Sequence, residues 1–133
     1  QFAYFMGVAF QIQDDILNLV AEYERYGKEI GGDIWEGKRT LMLIHLLNEC
    51  EHIEKEKITD FLAKPRCKRD ADEVNWVYNL MEKYDCIEYA RVVARQLANE
   101  SLKEFDVAYA NATSPEDKEF IRQIVYYMIE RQL

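Results

Sequence analysis

The sequence predicts an all-α fold, and three observations point to it. Apolar residues recur at spacings of three and four along nearly all of its 133 residues, as they do when one stripe of a helix is buried. No stretch alternates apolar and polar residues in the manner of a half-buried strand. Only 5 glycines and 2 prolines punctuate the pattern, and these are the residues that most readily break helices. A hydrophobic content of 49% supplies a core and excludes disordered, collagen-like and proline-rich chains. The length suits one domain.

The first helix is expected from Phe2 to about Tyr23. Phe5, Val8, Ala9, Ile12, Ile16, Leu19, Val20 and Tyr23 occupy its repeating positions. Up to Gln11 it is apolar on most sides, as in a helix enclosed by a larger bundle. The chain opens mid-pattern, as Gln1-Phe2-Ala3-Tyr4-Phe5-Met6-Gly7 without a capping residue, and reads as a piece of a longer protein. From Glu24 to Gly37 the pattern breaks. Gly27, Gly31, Gly32 and Gly37 mark this stretch as a loop with flexible or left-handed positions.

A second helix is expected from about Lys38 to Cys50, with Leu41, Ile44, His45 and Asn48 on one side. Lys55 to Ala63 forms a third, ended by Pro65, which disfavours helix at Lys64. Asp70 caps a helix running through Tyr84 that buries Val74, Val77, Tyr78 and Met81. Ile87 to about Ala110 is long and amphipathic, with Tyr89, Val93, Leu97, Leu102, Phe105 and Tyr109 along it. The last helix has the plainest start: Ser114 as cap, Pro115 in the first helical position and Asp117 three residues after the serine. Ile121, Ile124, Val125, Met128 and Ile129 form its apolar face.

Charge narrows the function. The 25 acidic residues outnumber the 17 basic ones, for a net charge of -8. A global basic footprint for nucleic acid is therefore missing, whereas an acidic chain suits divalent cations or simply stays soluble. The uncharged run Gln1–Gln13 falls short of the ~20 residues a bilayer needs, so no transmembrane segment is expected. It also lacks the basic start of a secretory signal. Cys50, Cys67 and Cys86 are odd in number and far apart, which fits a reducing cytoplasm rather than a disulfide framework.

Two segments carry chemistry. In Phe10-Gln11-Ile12-Gln13-Asp14-Asp15-Ile16-Leu17-Asn18, Asp14 and Asn18 share a helix face. Asp15 lies one position round, and Gln11 one turn earlier. Adjacent carboxylates repel unless neutralised, and magnesium with its oxygen ligands would neutralise them. A plain surface aspartate pair is the competing reading. The apolar flanks weigh against it, because buried carboxylates are rare unless paired or bound to metal. In the second segment, Lys28 and Lys38 bracket a glycine-rich loop, and Lys38 is expected to open a helix. Ammonium groups and helix-start amides both suit phosphate. The segment matches neither the P-loop nor the dinucleotide fingerprint. Alone it reads as a solvated loop; with the carboxylates it suggests a cation–diphosphate site.

Phe10-Gln11-x-x-Asp14-Asp15, then Gly27-Lys28, then Gly31-x-Asp33-x-x-x-x-Lys38 resembles the pattern of trans-isoprenyl diphosphate synthases, the polyprenyl synthetase family. Gly32-Asp33-Ile34-Trp35-Glu36-Gly37-Lys38 followed by Leu43-Ile44-His45 is most similar to the geranylgeranyl diphosphate synthase branch. The match is specific over about Gly7–Leu47, and the later helices agree in type only.

The resemblance implies a helical bundle of the isoprenoid synthase type. The 133 residues would be the C-terminal part of one larger domain, with the half-site in residues 1–50. It implies a prenyltransferase, usually a homodimer, that joins isopentenyl diphosphate to an allylic diphosphate with Mg2+. Asp14 and Asp15 would match the second aspartate-rich motif and bind magnesium with Asn18, which stands where the family usually has Asp. Gln11, Lys28 and Lys38 would hold the allylic diphosphate, and Phe10 would line the cavity wall. The first aspartate-rich motif is not in these residues, so the chain holds half a site and by itself is expected to be inactive. Two other readings stand beside this one: a non-catalytic helical partner that tunes an active synthase, and an isoprenoid cyclase.

Other candidates read as structural. His45, Glu49 and His52 share a helical face, but no further histidine exists to complete a zinc site. His45 is expected to pack, with Glu49 and His52 exposed. The aromatic residues are expected in the core or at an interface. The charge alternation of Glu51–Lys57 reads as a solvated face, and the cysteines lack a catalytic motif.

Overall fold

Residues 1–25, 31–111 and 113–130 are described by a computed structural model. Among them, helices follow one another as α1 (Phe2–Arg25), α2 (Gly32–Glu36), α3 (Leu41–Glu49), α4 (His52–Ala63), α5 (Ala71–Lys83), α6 (Cys86–Ala108) and α7 (Pro115–Glu130). A single 3₁₀ turn, Arg66–Lys68, lies between α4 and α5. The all-α expectation holds: no strand occurs among the described residues. None of their helices is long and apolar enough to cross a membrane.

The chain divides into two compact units, residues 15–90 and residues 1–14 with 91–133. In the second of these, Ala9, Ala98 and Val125 form a buried cluster against which Phe2, Met6, Leu97, Leu102 and Ile129 pack. The Phe2 and Phe105 rings meet at 5.2 Å, and Phe105 meets Tyr109 at 4.8 Å. The buried Ser101 hydroxyl donates to the Ala98 carbonyl at 2.7 Å, so its polar group is satisfied within its own helix.

In the unit of residues 15–90, α2 and α3 both pack on α5. Its buried apolar residues include Ile16 and Leu19 from α1, Met42, Leu43 and Leu46 from α3, Ile58 and Phe61 from α4, and Val74, Val77, Leu80 and Met81 from α5. Burying each such side chain contributes roughly 1.5–3 kcal/mol. The caps follow side-chain chemistry. The Thr40 hydroxyl accepts from the Leu43 amide at 3.3 Å. Asp70 accepts from the Glu73 amide at 2.9 Å while Glu73 accepts from the Asp70 amide at 3.4 Å, the reciprocal box expected at a helix start. Asp117 likewise donates its amide to Ser114 Oγ at 3.3 Å.

The structure corrects several expectations. The expected loop of residues 24–37 contains a helix, α2, too short to show a period, and α1 runs on to Arg25. Lys38 does not open a helix; α3 begins at Leu41 behind the Thr40 cap. The buried side of α3 is Met42, Leu43 and Leu46, with Ile44 and Asn48 exposed. Tyr78 is half-buried, and Leu80 is buried on that face of α5. On α6 the buried line is Cys86, Ala90, Ala94, Ala98, Ser101 and Phe105, while Tyr89 and Tyr109 are exposed. Close helix packing selects small side chains there, and an apolarity count biased to large residues overlooks them.

Candidate functional site

The site is built by one short helix held between two glycines. Gly31 and Gly37 flank α2 with φ of +66° and +67°, the left-handed region that side chains other than glycine's disfavour. At the far end, the Gly37 amide donates to the Ile34 carbonyl at 3.0 Å and the Lys38 amide to the Asp33 carbonyl at 2.9 Å. This pair of bonds closes the helix and folds the chain back on its own first turn. Lys38 thereby returns to Asp33, five residues earlier.

Two carboxylates then meet one ammonium. Lys38 Nζ donates to Asp15 Oδ1 at 2.7 Å and to Asp33 Oδ2 at 3.3 Å. The Asp15 and Asp33 side chains are 11% and 12% exposed and that of Lys38 42%, so the lysine can take a further oxygen ligand from solvent. Burial pushes the Asp33 carboxyl up; Lys38 opposes this, while Asp15 and Glu36 add to it. The hydrogen bond to Asp15, above all, raises the Lys38 ammonium. The shorter contact thus grips the lysine, and at the longer one desolvation prevails. An apolar cleft lined by Leu19, Ile34, Leu43, Val77 and Met81 adjoins Asp33 and Lys38.

Of the residues expected from sequence, Asp15 and Lys38 are thus brought together. Asn18 lies beside them: its side-chain oxygen accepts from the Asp33 amide at 3.4 Å. Gln11 and Asp14 are exposed on α1, and Phe10 is 41% exposed. Lys28 lies outside the described residues. Asp33 belongs to the Gly31-x-Asp33-x-x-x-x-Lys38 pattern but not to the residues expected at the site; its spacing to Lys38 across a glycine that ends a helix is the signal for it. His45 packs as expected, stacked on Tyr89 at 3.8 Å, and Glu49 and His52 are exposed. Among the described residues no group of three or more His, Cys, Asp or Glu is set to hold a metal ion. The donors on α1 are nevertheless all oxygen, which suits magnesium in kind, since that ion commonly takes one or two protein carboxylates and draws on phosphate for the rest.

Comparison with known proteins identifies the family. The polyprenyl synthetase family model matches residues 1–81. A short chain isoprenyl diphosphate synthase of Methanothermobacter thermautotrophicus is 32% identical over 96% of this chain and 37% of its own length. A geranylgeranyl diphosphate synthase of Saccharolobus solfataricus is 31% identical over 89% of this chain and 35% of its own. The crystal structure of geranylgeranyl pyrophosphate synthetase from Pyrococcus horikoshii superposes with a TM-score of 0.78 at 25% identity, covering 98% of this chain and 38% of that one. The chain thus spans somewhat more than a third of the length of these relatives. With a family model matched over more than half of its residues, the chain belongs to the polyprenyl synthetase family.

Proposed function

We propose that this chain carries the diphosphate-holding part of a geranylgeranyl-type prenyltransferase that condenses isopentenyl diphosphate with an allylic diphosphate. The observation that carries this reading is Lys38, held by Asp15 and Asp33 yet partly open to solvent. An ammonium fixed in this way presents a directed positive charge to an anionic leaving group at no cost of reorganisation. Lys38, with Lys28 and Gln11, holds the allylic diphosphate, and Phe10 lines the cavity. Asp14 and Asp15 are the carboxylates that would hold magnesium. Asn18, through its oxygen facing the Asp33 amide, orients α2 beside them. Bound magnesium would supply Lewis-acid stabilisation of the diphosphate oxygens.

In the reaction, the bond from the allylic C1 to the diphosphate oxygen breaks and diphosphate leaves with the electron pair. The double bond of isopentenyl diphosphate attacks the allylic cation, and loss of one proton restores an alkene. The protein would act in the cytoplasm as a homodimer. The test is product analysis with the full-length protein, magnesium, labelled isopentenyl diphosphate and allylic diphosphates of increasing length. A diphosphate extended by one or more five-carbon units is expected. Cyclic hydrocarbon with released diphosphate would replace this reading by a cyclase. No turnover, with stimulation of a separate active synthase, would replace it by a non-catalytic partner.

A further inference from the structure

We propose that Arg69, outside the family-like motifs, is the positioning residue that sets Lys38; this rests on the reading of Lys38 as a diphosphate ligand. Arg69 follows the 3₁₀ turn between α4 and α5, and each of its three guanidinium nitrogens donates to a backbone carbonyl. Nη1 donates to the Trp35 carbonyl at 2.6 Å, Nη2 to the Leu62 carbonyl at 3.0 Å and Nε to the Phe61 carbonyl at 3.3 Å. The same group lies over the Phe61 ring, 5.0 Å from its centroid. One planar fork thus ties the C-terminal end of α2 to that of α4. Both ends expose carbonyls that carry partial negative charge and favour a cation.

The contact reaches the site through Gly37. A Cβ on Gly37 would stand 2.9 Å from both Nη1 and Nη2, so the guanidinium occupies the space the missing side chain leaves. Gly37 is the left-handed residue immediately before Lys38, and Trp35 lies two residues earlier. Arg69 therefore grips the turn on both its carbonyl side and its open face. The Lys38 side chain is half-exposed and held at its tip by Asp15 and Asp33; the direction in which it leaves the backbone is what Arg69 fixes. Neighbouring Arg66 pairs with Glu36 at 2.8 Å across the same junction, but both are exposed, and such a pair contributes little. A lysine at position 69 would keep the charge and lose the three-way fork.

The test is calorimetric titration of inorganic pyrophosphate with magnesium into the full-length wild type, Arg69→Gln, Arg69→Lys, Lys38→Ala and the double variant Arg69→Gln/Lys38→Ala, with melting temperatures recorded alongside. Both Arg69 variants are expected to weaken pyrophosphate binding about tenfold, since small misplacements of a positioning group carry such costs. In the Lys38→Ala background the Arg69→Gln loss should vanish. Three results would overturn the inference: a lower melting temperature with wild-type affinity, a loss that persists undiminished without Lys38, or full rescue by Arg69→Lys. Wild-type affinity in Lys38→Ala would instead remove the reading of Lys38 itself, and the inference with it. Should Arg69→Gln not fold, Gly37→Ala presses on the same guanidinium; it should weaken pyrophosphate binding in the wild type and not in Lys38→Ala, and wild-type affinity in Gly37→Ala would overturn the proposal.

Discussion

Two lysine–carboxylate clusters in the unit of residues 15–90 use the same chemistry to opposite effect. Between the start of α4 and the end of α5, Lys83 donates to Glu54 at 2.8 Å and the Tyr84 hydroxyl donates to the same carboxylate at 2.6 Å. The Lys83 bond, with that of Tyr84 behind it, holds the Glu54 carboxyl below its ordinary range. At the start of α2, Asp33 also bonds a lysine, yet its carboxyl is pushed up because burial outweighs the bond. In the first cluster hydrogen bonding prevails, and the charges are content to stay ionised at the surface. In the second, two shielded carboxylates crowd one ammonium that keeps an open side. Conflict of that kind is expected where charge is arranged for a ligand rather than for the fold. On the proposed reading of Lys38, the two lysines differ in that Lys38 meets two carboxylates, 11% and 12% exposed, and Lys83 meets one, 18% exposed.

The largest effect should come from loosening the buried cluster. In the full-length protein Asp15→Asn removes the acceptor at 2.7 Å and should lower the condensation rate about a hundredfold, in the range for losing a preorganised charge contact. Radiolabelled isopentenyl diphosphate incorporation reads this directly. An effect below threefold would erase the distinction between the clusters.

At Cys86 burial leads and no lysine opposes it, while a backbone hydrogen bond lowers the thiol and Cys50, Asp85 and Glu49 add to the rise. Burial pushes its thiol from 9.0 up to about 11. A folded value above the unfolded one means that the contribution to stability is intact below pH 9 and fades as the pH rises toward 11. The melting temperature of the wild type should therefore fall faster than that of Cys86→Ala across this interval. Parallel curves would show that burial there does not govern ionisation.

Glu54 gives the opposite sign. Its folded value lies below the unfolded 4.5, so its contribution is intact above that pH and is lost as the pH falls further. Thermal melts of the wild type and Glu54→Gln should differ slightly near neutrality and converge under acid conditions. Smallest of all, Lys83→Ala should leave condensation within about twofold of wild type, as suits an exposed ion pair. A large loss of activity would give the surface cluster a part in the reaction.

How much of this was legible in the sequence follows from the physics of each element. α5 and α7 were readable because capping residues and a regular apolar period agree at Asp70 and Ser114. Asp15 and Lys38 were readable as residue types that fit diphosphate and magnesium. Asp33 was harder to see: its meeting with Lys38 depends on a five-residue helix reversed at Gly37, which has no period to detect. Arg69 gave no signal, since its acceptors are backbone carbonyls up to 34 residues away. On α6 the buried alanines were masked by larger apolar residues that turned out to be exposed or half-buried.

The most direct measurement is the magnesium-dependent affinity for inorganic pyrophosphate of full-length Lys38→Ala set against Lys83→Ala. A loss of at least tenfold is expected for Lys38→Ala and wild-type affinity for Lys83→Ala. Equal affinities in the two variants would contradict this expectation.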